Sequence, residues 1–163
     1  HVSSRRQRQM CIRDRTTPYS YALDGLFVGD MPQTAYVMGA TLTPIKGLRL
    51  QGILKMYDKN YSDWSPNARE YDGSDADADR SQVWQAPKYN RLDLHGSYKL
   101  PKIGGLDMSI NAHIFNALDA VYVQDAVDNS QYNGYGDKLH LPHNAEVFLG
   151  TPRYANIGLV VNF

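Results

Sequence analysis

Residues 154–163 read "YANIGLVVNF", and this stretch decides the fold. Ala155, Ile157, Leu159, Val161 and Phe163 fall on one face of a strand, while Tyr154, Asn156, Gly158 and Asn162 fall on the other. Successive side chains of an extended chain point to opposite sides, so the row is apolar on one side only. A half-buried strand in a water-facing sheet and a lipid-facing strand in a membrane barrel both alternate in this way. The rest of the chain has to separate them.

The same alternation recurs toward the N terminus. In "TAYVMGATLTP" (34–44), Tyr36, Met38, Ala40 and Leu42 alternate with Val37, Gly39, Thr41 and Thr43. After the turn "PIKG" (44–47), "LRLQGILKMYDKNY" (48–61) sets Leu48, Leu50, Gly52, Leu54 and Met56 against Arg49, Gln51, Ile53, Lys55 and Tyr57. These two strands read as a hairpin. "NRLDLHGSYKL" (90–100) and "LDMSINAHIFN" (106–116) flank the turn "PKIGG". They place Leu92, Leu94, Tyr98, Met108, Ile110 and Ile114 on one row. The other row carries Arg91, Asp93, His95, Ser97, Lys99, Asp107, Ser109, Asn111 and His113. That second face must meet water or polar partners.

With 42% hydrophobic residues and zero formal charge, the average composition looks like that of a soluble protein. The average misleads for barrels, whose lumen positions and long loops are polar and whose spanning strands need only about 9–11 residues. The chain has no run of about 18 apolar residues, which excludes a transmembrane helix and leaves a barrel open. Charge is unevenly placed. Residues 1–15, "HVSSRRQRQMCIRDR", hold five of the 17 basic side chains, one acid and the single cysteine, Cys11. Without them the chain carries 12 basic and 16 acidic side chains, a net of −4. The string "QMCIRDR" resembles translated adaptor sequence, so this leader is expected to be foreign to the protein, the alternative being a disordered basic arm. No nucleic-acid partner is expected.

The connections alternate as well. Residues 44–47 and 101–105 are short turns, whereas 62–88 and about 118–150 are long and polar. In a small soluble domain such loops count against the strand assignment, but short turns at one end and long loops at the other are the pattern of outer-membrane barrels. Residues 16–33 read as loop and 34–163 as five strands. A ten-residue strand rising about 3.3 Å per residue and tilted by about 40° climbs roughly 25 Å, the height of the apolar band of such barrels.

Three stretches carry a family resemblance. "YNRLDLHGSYKL", "INAHIFNALDAVYV" and "AEVFLGTPRYANIGLVVNF" resemble the C-terminal end of TonB-dependent outer-membrane receptors. There a segment of the form N-x-x-N-L-F-D-x-x-Y precedes a G-x-P-R turn into the last strand. Here Asn111, Phe115, Asn116, Leu118, Asp119 and Tyr122 match it, with Ala117 inserted between Asn116 and Leu118. The resemblance implies an all-β, antiparallel transmembrane barrel of about 22 strands, of which this chain supplies about five C-terminal ones and is open by itself. It implies a plug domain and a TonB-contacting segment in a missing N-terminal part. Phe163, with Val161, Leu159 and Ile157 behind it, would be the signal read by the barrel assembly machinery. Outer-membrane lipid would cover the apolar rows, and Arg91, Asp93, His95, Asn111 and His113 would face the lumen and the plug. The implied activity is energised uptake of a scarce nutrient, such as an iron–siderophore complex, across the outer membrane of a Gram-negative-type bacterium, with no reaction catalysed. Two other readings stay open: a passive porin-like barrel, and a soluble β-sheet binding module burying the Leu92/Leu94/Tyr98 row against a second sheet.

The loops offer candidate sites. In "EYDGSDADADR" (70–80), Asp72, Asp75, Asp77 and Asp79 could converge on Ca²⁺, a hard cation taking six to eight oxygens, although the spacing differs from the twelve-residue helix-flanked loop. "HLPH" places His140 and His143 three apart, the start of a transition-metal site with no third ligand indicated. Tyr57, Tyr61, Trp64, Trp84, Tyr89 and Tyr122 gather near predicted external strand ends, where they read as an interfacial girdle or as stacking surfaces for a ligand. Trp64, Arg69, Arg80 and Trp84 are the candidate ligand contacts, with the arginines suited to an anionic chelate. No cofactor beyond a loop-bound Ca²⁺ is expected.

Overall fold

The computed structural model describes residues 20–71, 78–102, 104–130 and 139–162. In chain order the strands are β1 (Ser20–Tyr21), β2 (Pro32–Leu42), β3 (Leu48–Tyr61), β4 (Glu70–Tyr71) and β5 (Gln85–Ala86), then β6 (Tyr89–Lys99), β7 (Asp107–Phe115), β8 (Val123–Asp128), β9 (Ala145–Leu149) and β10 (Tyr154–Asn162). Among the described residues there is no α-helix, only short 3₁₀ turns such as Pro66–Arg69 and Pro142–Asn144.

The chain divides into two compact units. The larger, residues 27–64 and 83–163, holds an antiparallel sheet ordered β10-β7-β6-β3-β2, with β5 added to the end of β3. Each long strand pairs with its neighbours in the chain, so the sheet is an up-and-down meander. It is open: β10 pairs with β7 alone and β2 with β3 alone, so among the described residues both outer edges lack a partner. The five strands coincide with the five alternating stretches in the sequence, with β2 starting at Pro32 rather than at Thr34.

Register carries the sequence pattern into two faces. Met38 lies opposite Leu54, Leu54 opposite Leu92, Leu94 opposite Ile114, and Ile114 opposite Ala155. The apolar row of every strand therefore meets the apolar row of the next, and the polar rows do the same on the other side. The turn after β2 helps to hold this register. Gly47 adopts φ +86°, which favours glycine, its carbonyl accepts a hydrogen bond from the Lys99 N–H at 2.8 Å, and a Cβ there would press on the Lys99 carbonyl.

Burial is inverted relative to a soluble sheet. Tyr36 is 62% exposed, Leu159 61% and Ile157 80%, and Met38, Leu42, Leu50, Leu94, Ile110 and Ile114 are exposed beside them. On the opposite face Asp93 is 1% exposed. The buried apolar residues among those described are few and mostly small: Ala22, Tyr61, Val83, Ala86, Tyr122 and Ala126. Ala40, Gly52, Gly96 and Ala112 form a shallow depression in the apolar face between the leucines.

The long connections are more structured than the loops expected from the sequence. Within 118–150, β8 and β9 form an antiparallel hairpin with a bulge between Val123 and Asp125, and Val127 bridges to Asp63. The smaller unit, residues 1–26 and 65–82, pairs β1 with β4, so the expected loop at 16–33 contains a strand. There the Ala22 N–H donates to the Arg69 carbonyl at 2.9 Å.

Candidate functional site

The polar face of the large sheet concentrates the chain's charge, and its core is Asp93. β6 places this carboxylate on the same row as Arg91 and His95 and opposite Ile53 of β3. Lys55 Nζ donates to Asp93 Oδ2 at 2.9 Å, and an Arg91 amino group approaches the same oxygen at 3.4 Å. The Asn116 N–H donates to Oδ1 at 3.0 Å. Two cations and a backbone amide thus satisfy a nearly inaccessible carboxylate, as burial of a charge requires. Arg91 also donates to the Tyr122 hydroxyl at 3.1 Å.

Asn116 connects this cluster to the neck of the long connection between β7 and β10. Its backbone is left-handed (φ 50°), as is that of Asp119 (φ 52°), a conformation that Asn and Asp accept more readily than other side chains. Asn116 Oδ1 accepts from the Ala120 N–H, and its amide group donates to the carbonyls of Ala120 and Thr151. Asp119 Oδ1 accepts from the Arg153 N–H at 2.9 Å. The Gly150 N–H donates to the Tyr122 carbonyl, and a Cβ on Gly150 would overlap the Tyr122 ring. Residues 116–122 and 150–153, which carried the sequence resemblance, are therefore the two halves of one clasp at the neck.

Farther along the same face His95 lies opposite His113, with Nδ1 to Nδ1 at 2.8 Å. Gln51 lies opposite His95 on one side and Asn156 opposite His113 on the other. Asn111 sits one step away, opposite Ser97 and Gly158. All five residues expected to face the lumen, Arg91, Asp93, His95, Asn111 and His113, thus share the polar face, and the structure joins Arg91 to Asp93 and His95 to His113.

Other candidates are corrected. Tyr57 and Tyr89, read as part of an interfacial girdle or as stacking surfaces for a ligand, sit opposite each other on the polar face, where Tyr122 stacks on Tyr89 with centroids 4.3 Å apart. Phe115 and Tyr154 stack on that face as well, 4.7 Å apart. Tyr61 is buried and stacks on Phe27. A lipid-interface ring belongs on the apolar face, so these aromatics line the polar side instead.

The expected ligand contacts Trp64, Arg69, Arg80 and Trp84 fall in two units, and the side chains of Trp64, Arg69 and Arg80 have local partners. The Trp64 indole N–H donates to the Phe27 carbonyl at 2.9 Å, and the Trp84 carbonyl accepts from Ser62. Arg69 is buried and held by Asp79 at 3.1 Å, which removes it from the surface that an anionic chelate would reach. The Arg80 guanidinium lies 5.9 Å from the Tyr71 ring centroid. Asp79 is the one member of its proposed cation group within the described residues, and its carboxylate is taken by Arg69 and the Ser81 N–H. Asp72, Asp75 and Asp77 lie outside the described residues, as do Phe163 and the leader 1–15. Ile157, Leu159 and Val161 stand on the exposed apolar row opposite Ala112, Ile110 and Met108.

His140 does not pair with His143 toward a metal. Its Nδ1 meets Asp128 Oδ2 at 2.6 Å and Ser130 Oγ at 3.0 Å, while Ser130 also donates to Asp128 at 2.9 Å. Serine and aspartate meet the same imidazole nitrogen, whereas a nucleophilic relay needs them on opposite nitrogens. The trio is a buried hydrogen-bond triangle beside the hairpin. Among the described residues no group of three His, Cys, Asp or Glu side chains is disposed to hold a metal.

One electrostatic feature was not legible. Asp30, in the left-handed region (φ 65°), lies near Asp63 and Asp125. The Asp63 charge pushes the Asp30 carboxyl above the ordinary range, with partial desolvation and Asp125 adding to it. Comparison with protein-family models, with curated proteins and with solved structures gives no match.

Three outcomes are expected in urea unfolding of the chain in detergent. Asp93→Ala leaves Lys55 and Arg91 facing each other unpaired and costs about 2–4 kcal/mol, less than a fully buried pair because both cations are partly solvated. Gly150→Ala destabilises through the Tyr122 ring, and Tyr122→Ala in the same chain recovers part of that loss. A carboxyl with a raised folded-state pKa binds more protons folded than unfolded, so its penalty is present at neutral pH and relieved as pH falls through the raised value. Asp30→Asn therefore raises the unfolding midpoint at neutral pH, and the gain fades as the pH is lowered through the raised value.

Proposed function

We propose that the large sheet is a lipid-facing section of a larger outer-membrane β-barrel, and that the intact protein is a TonB-dependent receptor importing a scarce nutrient such as an iron–siderophore complex. One observation carries the membrane part of this reading: the apolar rows of five consecutive strands register into one exposed face, while the charged groups pair on the opposite face. A contiguous apolar surface of that extent is unusual on a water-soluble monomer, where such patches span a few hundred Å².

Three further features support it. The strands run 9–14 residues, a spanning length for tilted strands. The two turns at one end of the strands are short, while the connections between the other strand ends, 62–88 and the one that holds the β8–β9 hairpin, are long. Both outer edges of the sheet lack partners among the described residues, and a barrel closes such edges with further strands. The step from barrel to TonB-dependent receptor rests on the resemblance of residues 106–163. The clasp gives that motif a structural purpose here, because Asn116, Asp119, Tyr122 and Gly150 fix the geometry with which the chain enters its last strand. In this reading outer-membrane lipid covers the apolar face, the assembly machinery reads the terminal strand, and a plug with its TonB contact fills the space beside the polar face.

Single cysteines in the intact protein, assembled in outer-membrane vesicles, test the membrane part. Cysteines at Leu92, Leu94, Ile110 and Leu159 should react with a lipid-soluble maleimide, and those at Ser97, Asn111 and Asn156 with a water-soluble one. Equal reactivity of both rows toward the water-soluble reagent would overturn the membrane reading. Collapse of the proton-motive force should abolish uptake; persistence of uptake would assign the barrel to a passive pore.

A further inference from the structure

The His95–His113 pair is used by neither the clasp nor the charge cluster. The two residues are directly opposite on adjacent antiparallel strands, and their Nδ1 atoms aim at each other across 2.8 Å. Aromatic packing sets the ring planes. Phe115 stands edge-on to His95 with centroids 5.4 Å apart, lies 6.2 Å from His113, and is itself stacked on Tyr154. Beside the imidazoles lies a cavity of about 180 Å³ bordered also by Arg49, Gln51 and Ser97. Several waters or one small anion fit a polar space of that size.

We infer that His95 and His113 form a two-imidazole site for a divalent transition-metal ion, with its remaining coordination positions open to the cavity beside Arg49. An imidazole nitrogen sits about 2.0–2.1 Å from such a metal, so two nitrogens on one tetrahedral ion stand about 3.3 Å apart. The observed separation is about half an ångström short of that bite, a gap closed by small side-chain rotations without moving the strands. Both rings present Nδ1 to the metal once their proton resides on Nε2; the ring that donates in the Nδ1–Nδ1 hydrogen bond gives its Nδ1 proton to water and takes one at Nε2, with no net change of charge. Imidazole selects Cu²⁺, Zn²⁺ and Ni²⁺ over the hard ions Ca²⁺ and Mg²⁺, with Cu²⁺ bound most tightly. Two ligands give modest affinity. Arg49 disfavours a bare cation and favours a metal carrying a carboxylate, phosphate or similar anion, whose charge its guanidinium can pair. The site does not depend on the membrane reading, since it is built wholly from β6, β7 and the neighbouring Arg49 and Gln51 of β3.

The test is a Cu²⁺ titration of the full, untagged chain folded in detergent, followed by electron paramagnetic resonance. The expected result is a 1:1 signal with superhyperfine splitting from two nitrogens and a dissociation constant in the micromolar range. His95→Gln and His113→Gln should each weaken binding at least tenfold, Zn²⁺ should compete and Ca²⁺ should not, and His143→Gln should leave binding unchanged. Imidazole ¹⁵N shifts of the wild-type chain on Zn²⁺ addition locate the ligand atoms without any variant. Absence of a two-nitrogen signal, undiminished binding by the double Gln variant, or ¹⁵N shifts confined to other histidines would each overturn the site.

Discussion

Register is the constraint on which everything else in this chain depends. Side chains alternate with a period of two, so a slip of one residue between any two of the long strands would carry an entire leucine row to the charged side. Each ladder avoids this, and Tyr36–Met56, Leu54–Leu92, Leu94–Ile114 and Leu159–Ile110 lie level across the sheet. The short turns hold the phase. A wrong register would also separate Asp93 from Lys55 and Asn116 and leave a buried carboxylate unmatched, at a cost of several kcal/mol. Apolar pattern and charge pairing thus select the same alignment.

The polar face is organised around satisfied groups rather than around a hydrophobic interior. Asp93 joins β3, β6 and the segment after β7 through three donors, Arg91 passes from that cluster to Tyr122, and Tyr122 closes the neck against Gly150. The order of these contacts couples the middle of the sheet to the entry of the last strand. It also explains the residue types at the neck: left-handed backbone at 116 and 119 suits Asn and Asp, and the close approach at 150 suits glycine.

The long strands were legible because a period of two is a local signal, readable within ten residues. That His95 and His113 share the polar row was legible for the same reason. The neck was not: Asp93 and Asn116 are 23 residues apart, and Asn116 and Thr151 are 35 apart. Only the folded register brings them together. The β8–β9 hairpin escaped because its strands are short and are joined by a long segment rather than a tight turn. Arg69 looked like a surface cation because nothing nearby in sequence shows that the 3₁₀ turn buries it. The tyrosine girdle is a different case, since the parity of Tyr57 with Lys55 and of Tyr89 with Arg91 already places those rings on the polar side.

On the proposed reading the two faces meet two solvents. In water, each large aliphatic side chain left out on the apolar face forgoes part of the roughly 1.5–3 kcal/mol that full burial provides. Ile157, Leu159, Met38 and Leu42 are all of this kind. The interior of the large unit cannot offset that, because its buried apolar residues are tyrosines, alanines and a valine. A second sheet packed on the leucine row would offset it, as in a sandwich, but each long strand already hydrogen-bonds to its neighbours in a single layer, and the β8–β9 hairpin carries its own exposed Val147, Phe148 and Leu149. On the proposed membrane reading, hydrocarbon resolves the imbalance with no added protein layer, because it accepts the leucine row as it stands while the ladders pair the strands along most of their length. Among the described residues the outer edges of β2 and β10 are what remain unpaired. If lipid covers the apolar face as proposed, those edges require further strands, and the proposal of lipid on one face carries with it the proposal of a barrel around the other.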